Sequence, residues 1–285
     1  MDSFLFPLYC ELEELAKGIE SLDLHSKEVF LLRAFLILVF GDMPAIAKAM
    51  QMKGHNNFCP CRGCEIHGVR HPPGTVYYIP LTQQSEEDSY DAKTLPRRTH
   101  KRFIDQAEAV VNAPTAAEED RLSMECGIKG RPLLSFLDRL SFPLSFPLDF
   151  MHLVFENLVP NLVAHYTGNF KNLDDGTEEY IIPAKIWSEI CKTGSASGDT
   201  IPSQFGARIP NLEKERSHMT AESWSFWVMY IGPIVLRNHF KKNRYYSHFM
   251  KLVRLIHLCL AYNMKRSDIE LIQVRFQERV VEYEK

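Results

Sequence analysis

Residues 29–40 read Val-Phe-Leu-Leu-Arg-Ala-Phe-Leu-Ile-Leu-Val-Phe and run directly into Gly41-Asp42-Met43-Pro44. A run of branched and aromatic side chains with Arg33 as its single charge has the composition of a strand buried on both faces, although so short a run is also compatible with a helix. Gly41 ends the run, and Pro44 suits the first turn of a helix because its missing N–H is one that a helix start leaves unpaired. Ala45, Ile46, Ala49, Met50 and Met52 then give a short helix with one apolar side, closed by Gly54 at the C-terminal cap position. This puts Asp42 at a strand-to-helix junction. Its carboxylate has two readings there, an N-cap accepting a first-turn backbone N–H or a ligand for a divalent ion.

Within one helix length of Asp42 comes Cys59-Pro60-Cys61-Arg62-Gly63-Cys64. The two-residue gap between Cys61 and Cys64 lets both thiolates reach one Zn²⁺ at about 2.3 Å, with Gly63 permitting the turn. A single CxxC is half of a tetrahedral site. His55, His67 and His71 are near in sequence, His100 and His152 are distant, and Cys59 is a further sulfur. Cys61, Cys64, His67 and His71 form the compact local set; free cysteines without metal are the alternative.

The chain has 285 residues, 45% hydrophobic and 24% charged, enough for a sizeable core in one large domain or two small ones. The net charge of −3 argues against a strongly basic, autonomous DNA binder. Local basic runs, Arg97-Arg98-Thr99-His100-Lys101-Arg102 and Lys241-Lys242-Asn243-Arg244, are the candidates for phosphate contact, with solvated faces as the plainer reading. No apolar stretch approaches the roughly 18 residues of a membrane span, and Met1-Asp2 lacks the basic start of a secretory signal. Seven irregularly spaced cysteines fit a reducing compartment rather than a disulfide scaffold.

Several short blocks follow one another along the chain: Ser3-Phe4-Leu5-Phe6-Pro7-Leu8, Leu15-Ala16-Lys17-Gly18, Gly41-Asp42-Met43-Pro44-Ala45, Lys53-Gly54-His55-Asn56, Pro60-Cys61-Arg62-Gly63-Cys64 and Tyr77-Tyr78-Ile79-Pro80-Leu81. They are followed by Arg98-Thr99-His100, Gly127-Ile128-Lys129-Gly130, Phe146-Pro147-Leu148-Asp149-Phe150-Met151-His152, Ala221-Glu222-Ser223-Trp224 and Tyr230-Ile231-Gly232-Pro233. In this order the chain resembles the central part of CACTA (En/Spm)-type transposases, grouped with the Kyakuja-Dileera-Zisupton elements. The resemblance implies a ribonuclease-H-like core with a DDE triad holding two Mg²⁺ ions, which stabilise the attacking and leaving oxygens of an in-line displacement at phosphorus. Asp42 matches the second aspartate of that triad. The first aspartate and the glutamate have no counterpart in this chain, and Glu282 and Glu284 match the helix before the glutamate block.

The resemblance further implies Cys61 and Cys64 with His100 and His152 as the zinc set. Asp149 of the Asp-x-x-His block would cap a helix or orient His152 through its other ring nitrogen. DNA would be the partner and the nucleus the site of action. The expected architecture is therefore α/β plus α. Residues 1–148 form a partial ribonuclease-H-like core carrying the CxxC segment, and residues 149–285 form a helical insertion.

Local patterns fill in the remainder. Residues 65–100 read as loops with one strand over Thr75 to Leu81 and an exposed acidic loop from Gln83 to Asp91. Lys101 to Leu122 is helical with a break at Pro114. A helix from Asp149 turns Met151, Phe155, Leu158 and Leu162 to one side, with a kink at Pro160. A turn at Asn172 to Gly176 and a Gly/Ser-rich connecting stretch from Lys192 to Thr200 precede three helices. The first starts at Thr220 with Trp224, Trp227 and Tyr230. The second runs from about Tyr245 to Tyr262 with Phe249, Leu252, Val253, Ile256 and Leu260 inward. The third opens on a Ser267/Glu270 capping box with Ile269, Ile272, Phe276, Val280 and Tyr283 as its apolar stripe.

Overall fold

The computed structural model describes all residues except 1, 71–76, 84–88, 172–175, 203–204 and 207. His71, most of the acidic loop after Gln83, the start of the strand expected from Thr75 and most of the turn at 172–176 lie outside the described residues. Helix accounts for 52% and strand for 6%, so the α-plus-β class holds with helix dominant. The chain divides into two compact units, Met1–Asp149 and Phe150–Lys285.

The first unit begins with α1 (Asp2–Lys17), which buries no residue, and a hairpin of β1 (Ile19–Leu22) with β2 (Val29–Leu32). The two strands pair antiparallel with Ile19 opposite Leu32 and Leu22 opposite Val29. The strand expected over 29–40 therefore covers only its first four residues, and it is not buried. Val29, Phe30, Leu31 and Leu32 are all exposed, as are Phe35, Ile37, Leu38 and Phe40. An apolar run reaches a two-faced interior only if strands and helices cover it, and β2 has β1 as its only strand neighbour among the described residues. Beyond Leu32 the chain is irregular; Leu36 and Val39 alone turn towards the core, and Val39 N–H donates to the Ser145 carbonyl at 2.8 Å.

α2 (Met43–Ala49) follows, capped by Asp42, whose Oδ1 accepts the Ala45 N–H at 2.6 Å. Its closure differs from the expected one. Gln51, with φ of 52°, makes the left-handed turn, and Gly54 comes later with φ of 88°. Tertiary bonds set this earlier stop: Lys129 N–H donates to Gln51 O at 2.6 Å and Lys53 N–H to Gly127 O at 2.9 Å. Gly127 itself is required at that point. Its φ is 76° and a Cβ would meet the Cys59 carbonyl oxygen at 2.0 Å. α3 (His100–Val111) and α4 (Ala116–Cys126) pack together on either side of the Pro114 break, capped by Thr99 and Thr115. The core of this unit is Ile46, Met50, Met52, Phe103, Ala107, Ile128, Phe142 and Phe146 with their neighbours. The remaining sheet pairs β3 (Val69–Arg70) with β4 (Tyr77–Tyr78).

The second unit is helical. A π-helical stretch, Met151–Leu158, passes into α5 (Val159–Tyr166), and Trp227–Ile231 passes in the same way from α7 (Ala221–Phe226) into α8 (Gly232–Val235). Each change of register stands one or two residues before a proline, Pro160 and Pro233. Proline lacks the N–H of an i→i−4 bond and its ring crowds that carbonyl, a conflict the wider π turn relieves. α6 (Ala184–Ala196), α9 (Asn243–Cys259) and α10 (Arg266–Tyr283) complete the unit, α6 running on into the Gly/Ser-rich stretch expected as a connection because Ile190, Cys191 and Gly194 are buried along it. Its core gathers Phe155, Leu162, Trp187, Trp224, Trp227, Phe249, Leu252 and Ile256.

α9 turns Phe249, Leu252, Val253 and Ile256 inward as its spacing predicts, while Leu260 is exposed past its end. α10 departs from expectation twice. It starts at Arg266 rather than after Ser267, because the Asp268 carboxylate accepts the Lys265 N–H at 2.8 Å. Its expected stripe is largely exposed at Ile269, Val280 and Tyr283, and the residue it buries is Arg279.

The exposure of the 29–40 run has a direct test. Ile37, 61% exposed, replaced by Ser should change unfolding free energy by less than about 0.5 kcal/mol, whereas a strand buried on both faces would lose roughly 2–5 kcal/mol. Urea denaturation of the two proteins distinguishes these.

Candidate site around Asp42 and the cysteine cluster

The cysteine cluster is organised by Arg98. The chain at 63–65 runs beside 96–98, with Arg98 N–H donating to Gly63 O at 3.2 Å and Glu65 N–H to Pro96 O at 2.8 Å. This brings the Arg98 side chain, 4% exposed, inward. Its guanidinium donates to Cys61 O at 3.0 Å, Cys126 O at 2.7 Å, Cys59 Sγ at 3.0 Å and Gln106 Oε1 at 3.2 Å. Arg98 is therefore withdrawn from the expected phosphate-contacting run, since its donors are already engaged inside the protein.

Cys61 and Cys64 stand with their sulfurs 3.1 Å apart, Cys64 donating. That hydrogen bond holds the Cys61 thiol below the usual range. Burial opposes the shift; the N–H groups of Gly63 and Cys64 and the Arg98 charge reinforce it. Cys64 is pushed the other way by the same bond and by burial. Cys59 is pushed up to about 11 by burial, against the pull of Arg98. The bond thus favours the thiolate on Cys61 and the protonated thiol on Cys64. A cavity of about 280 Å³ borders the cluster, lined by Cys59, Cys126, Glu65, His67, Arg102 and Gln106 among others.

The other expected zinc ligands sit differently. His100 opens α3 and its Nδ1 accepts the Phe142 N–H at 3.0 Å. In a neutral ring this leaves the proton on Nε2, so neither nitrogen presents a lone pair to a metal in that arrangement. His67 stacks on Phe58 with ring centroids 4.5 Å apart. His152 belongs to the second unit, where its Nε2 lies 3.6 Å from Glu156. Asp149, half-buried, is the last residue before the helix begins, within Coulombic reach of Arg62. Among the described residues no three His, Cys, Asp or Glu side chains gather as a metal-binding group.

Asp42 is exposed, with one carboxylate oxygen occupied by the cap, and among the described residues it belongs to no cluster of three or more His, Cys, Asp or Glu side chains. Of the basic run, Arg97 is exposed, Lys101 pairs with Asp105 at 2.6 Å and Arg102 with Glu65 at 2.6 Å. Sequence reasoning missed the part played by Arg98, Cys59 and Cys126. The available signal was Cys59 itself, two residues before the CxxC, but nothing in an Arg97-Arg98 doublet says which guanidinium turns inward.

Comparison with known proteins finds no matching family model, no matching curated protein and no matching solved structure. No helix among the described residues is long and apolar enough to cross a membrane.

The lowered Cys61 thiol makes a selective prediction. Alkylation at pH 7 followed by peptide mass spectrometry should modify Cys61 well before Cys59, Cys64 or Cys126, whose thiols are all raised. Replacement of Arg98 by Met, which removes a charge favouring the thiolate, should slow Cys61 modification at that pH.

Proposed function

We propose that this chain is part of a DDE-type DNA transposase of the CACTA kind, residues 1–148 contributing a partial ribonuclease-H-like core and 149–285 a helical insertion. The ordered blocks of sequence support this reading. The observation that carries it is Asp42, exposed where an extended apolar run turns into α2, with Oδ1 on the Ala45 N–H and Oδ2 not used by the cap. A carboxylate so held is fixed in direction and open to solvent, which suits a metal ligand as well as a cap.

The Mg²⁺ pair of such an enzyme, when bound, would stabilise the attacking and leaving oxygens as transposon ends are hydrolysed and the 3′ hydroxyl is joined to target DNA. Asp42 would supply one oxygen ligand. The rest of the triad has no counterpart among these residues, so the isolated chain is proposed to be inactive. DNA phosphates would be met by the exposed Arg97, Lys101 and Arg102, in the nucleus.

A second reading rests on the 3.1 Å approach of Cys61 and Cys64: a zinc-stabilised, non-catalytic module that binds DNA or protein. Cys61 and Cys64 would be two of the ligands, and zinc would lend folding energy to this loop. On the resemblance His100 and His152 would supply the others, which requires His100 to give up the Phe142 N–H.

Two measurements test these readings. Asp42→Asn, which keeps an oxygen for the cap, should cost less than Asp42→Ala, expected at about 1 kcal/mol. In a chain extended to carry the missing carboxylates, Asp42→Asn should abolish Mg²⁺-dependent cleavage of end-labelled DNA; retained cleavage would sink the catalytic role. Cleavage by the unextended 285-residue chain would overturn its proposed inactivity. Elemental analysis should find zinc bound to the wild type and lost in Cys61→Ser/Cys64→Ser, and a folded, metal-free wild type would refute the zinc reading.

A further inference from the structure

The Cys61 and Cys64 sulfurs stand 3.1 Å apart. Two thiolates on one tetrahedral zinc, each about 2.3 Å from the metal, stand roughly 3.8 Å apart, whereas the sulfurs of a disulfide are bonded at about 2.05 Å. The pair is drawn together more closely than a shared metal requires. About 1 Å of further approach separates it from a covalent bond.

The turn is held in that state by residues remote in sequence. Arg98 Nε donates to Cys61 O at 3.0 Å, Arg98 N–H to Gly63 O at 3.2 Å, and Glu65 N–H to Pro96 O at 2.8 Å. Cys64 lies opposite Arg97 in an isolated antiparallel bridge. Both ends of the turn are therefore tied to residues 96–98, and the two sulfurs meet without the entropy cost of ordering a free loop.

The sulfurs differ in access. Cys64 is 7% exposed and Cys61 is half-buried. A Cβ built at Gly63 would meet nothing nearer than the Cys61 sulfur, at 4.0 Å, so the glycine leaves open space beside that sulfur. A reagent reaches Cys61 first, and Cys64 stands behind it as a second nucleophile. Cys59, the other sulfur of this loop, is buried and already accepts from Arg98 at 3.0 Å.

We propose that Cys61 and Cys64 form a dithiol–disulfide couple that exchanges with low-molecular-weight disulfides of the glutathione class. Cys61, as thiolate, attacks one sulfur of the small disulfide, forming a mixed disulfide and expelling one small thiolate. Cys64 gives its proton to solvent and attacks the Cys61 sulfur, forming the Cys61–Cys64 bond and expelling the second thiolate. The two cysteines lose two electrons, and the small disulfide gains them as two thiols. A disulfide leaves neither sulfur as a thiolate, so the oxidised pair is closed to zinc. The exchange itself rests on neither the transposase reading nor the zinc reading.

The test is peptide mapping of the full 285-residue chain. Trypsin cuts after Lys53, Arg62 and Arg70, which puts Cys61 on peptide 54–62 and Cys64 on peptide 63–70. The reduced protein is treated with glutathione disulfide, its remaining thiols are alkylated, and the digest is read by mass spectrometry. The two peptides should be joined, with loss of alkylation at Cys61 and Cys64, and dithiothreitol should release them. Fragmentation of the joined pair places the bond at Cys61 or at Cys59, which shares its peptide. Cys64→Ser, lacking the second nucleophile, should keep one glutathione on Cys61; if that variant does not fold, the wild-type map decides alone. Peptides that stay separate, a join made through Cys59, or a folded Cys64→Ser without glutathione on Cys61 would overturn the proposal. Zinc content of the same sample, read by elemental analysis, tells failure of the zinc reading apart from failure of the exchange.

Discussion

A guanidinium keeps its proton at any pH a protein meets, so a fold that takes one out of water must supply acceptors in its place. Arg98 is satisfied by two backbone carbonyls, a thiol sulfur and an amide oxygen, contributed by residues 59, 61, 106 and 126. Those partners span the CxxC loop, α3 and the end of α4, so one side chain joins the three segments. The close passage of Gly127 beneath the Cys59 carbonyl follows from the same junction. The Cys61 thiol is held low because the Cys64 thiol, two loop N–H groups and this arginine all favour its charged form.

Arg279 in the second unit poses the opposite case. It is as deeply buried as Arg98, yet two of its nitrogens have no acceptor. One arginine completes a structural junction; the other has the Glu282 carboxylate within Coulombic reach but two nitrogens without hydrogen bonds. The contrast lies in the surroundings of two identical groups.

Local signals were legible where a residue's own chemistry decides the outcome. Asp42 caps α2 through a side-chain oxygen and α7 opens after Thr220, Pro114 separates α3 from α4, and the spacing of Phe249, Leu252, Val253 and Ile256 marks the inner face of α9. What was not legible depended on partners remote in sequence. The closing of α2 at Gln51 is set by strand-like bonds to residues 127–129. The start of α10 at Arg266 follows from a carboxylate in its first turn rather than from the Ser267/Glu270 pair.

By itself, the sequence determined the helical second half, the positions of most helix starts, the apolar character of residues 29–40, and the pairing of Cys61 with Cys64 across one turn. These are short-range consequences of backbone geometry and side-chain shape. Only the tertiary structure decided that the 29–40 run stays exposed, that Arg98 serves the thiols and that Arg279 displaces an apolar stripe as the buried residue of α10. Burial is a property of what covers a side chain. A sequence states which residues would gain from cover, and the packing of distant segments decides which of them receive it.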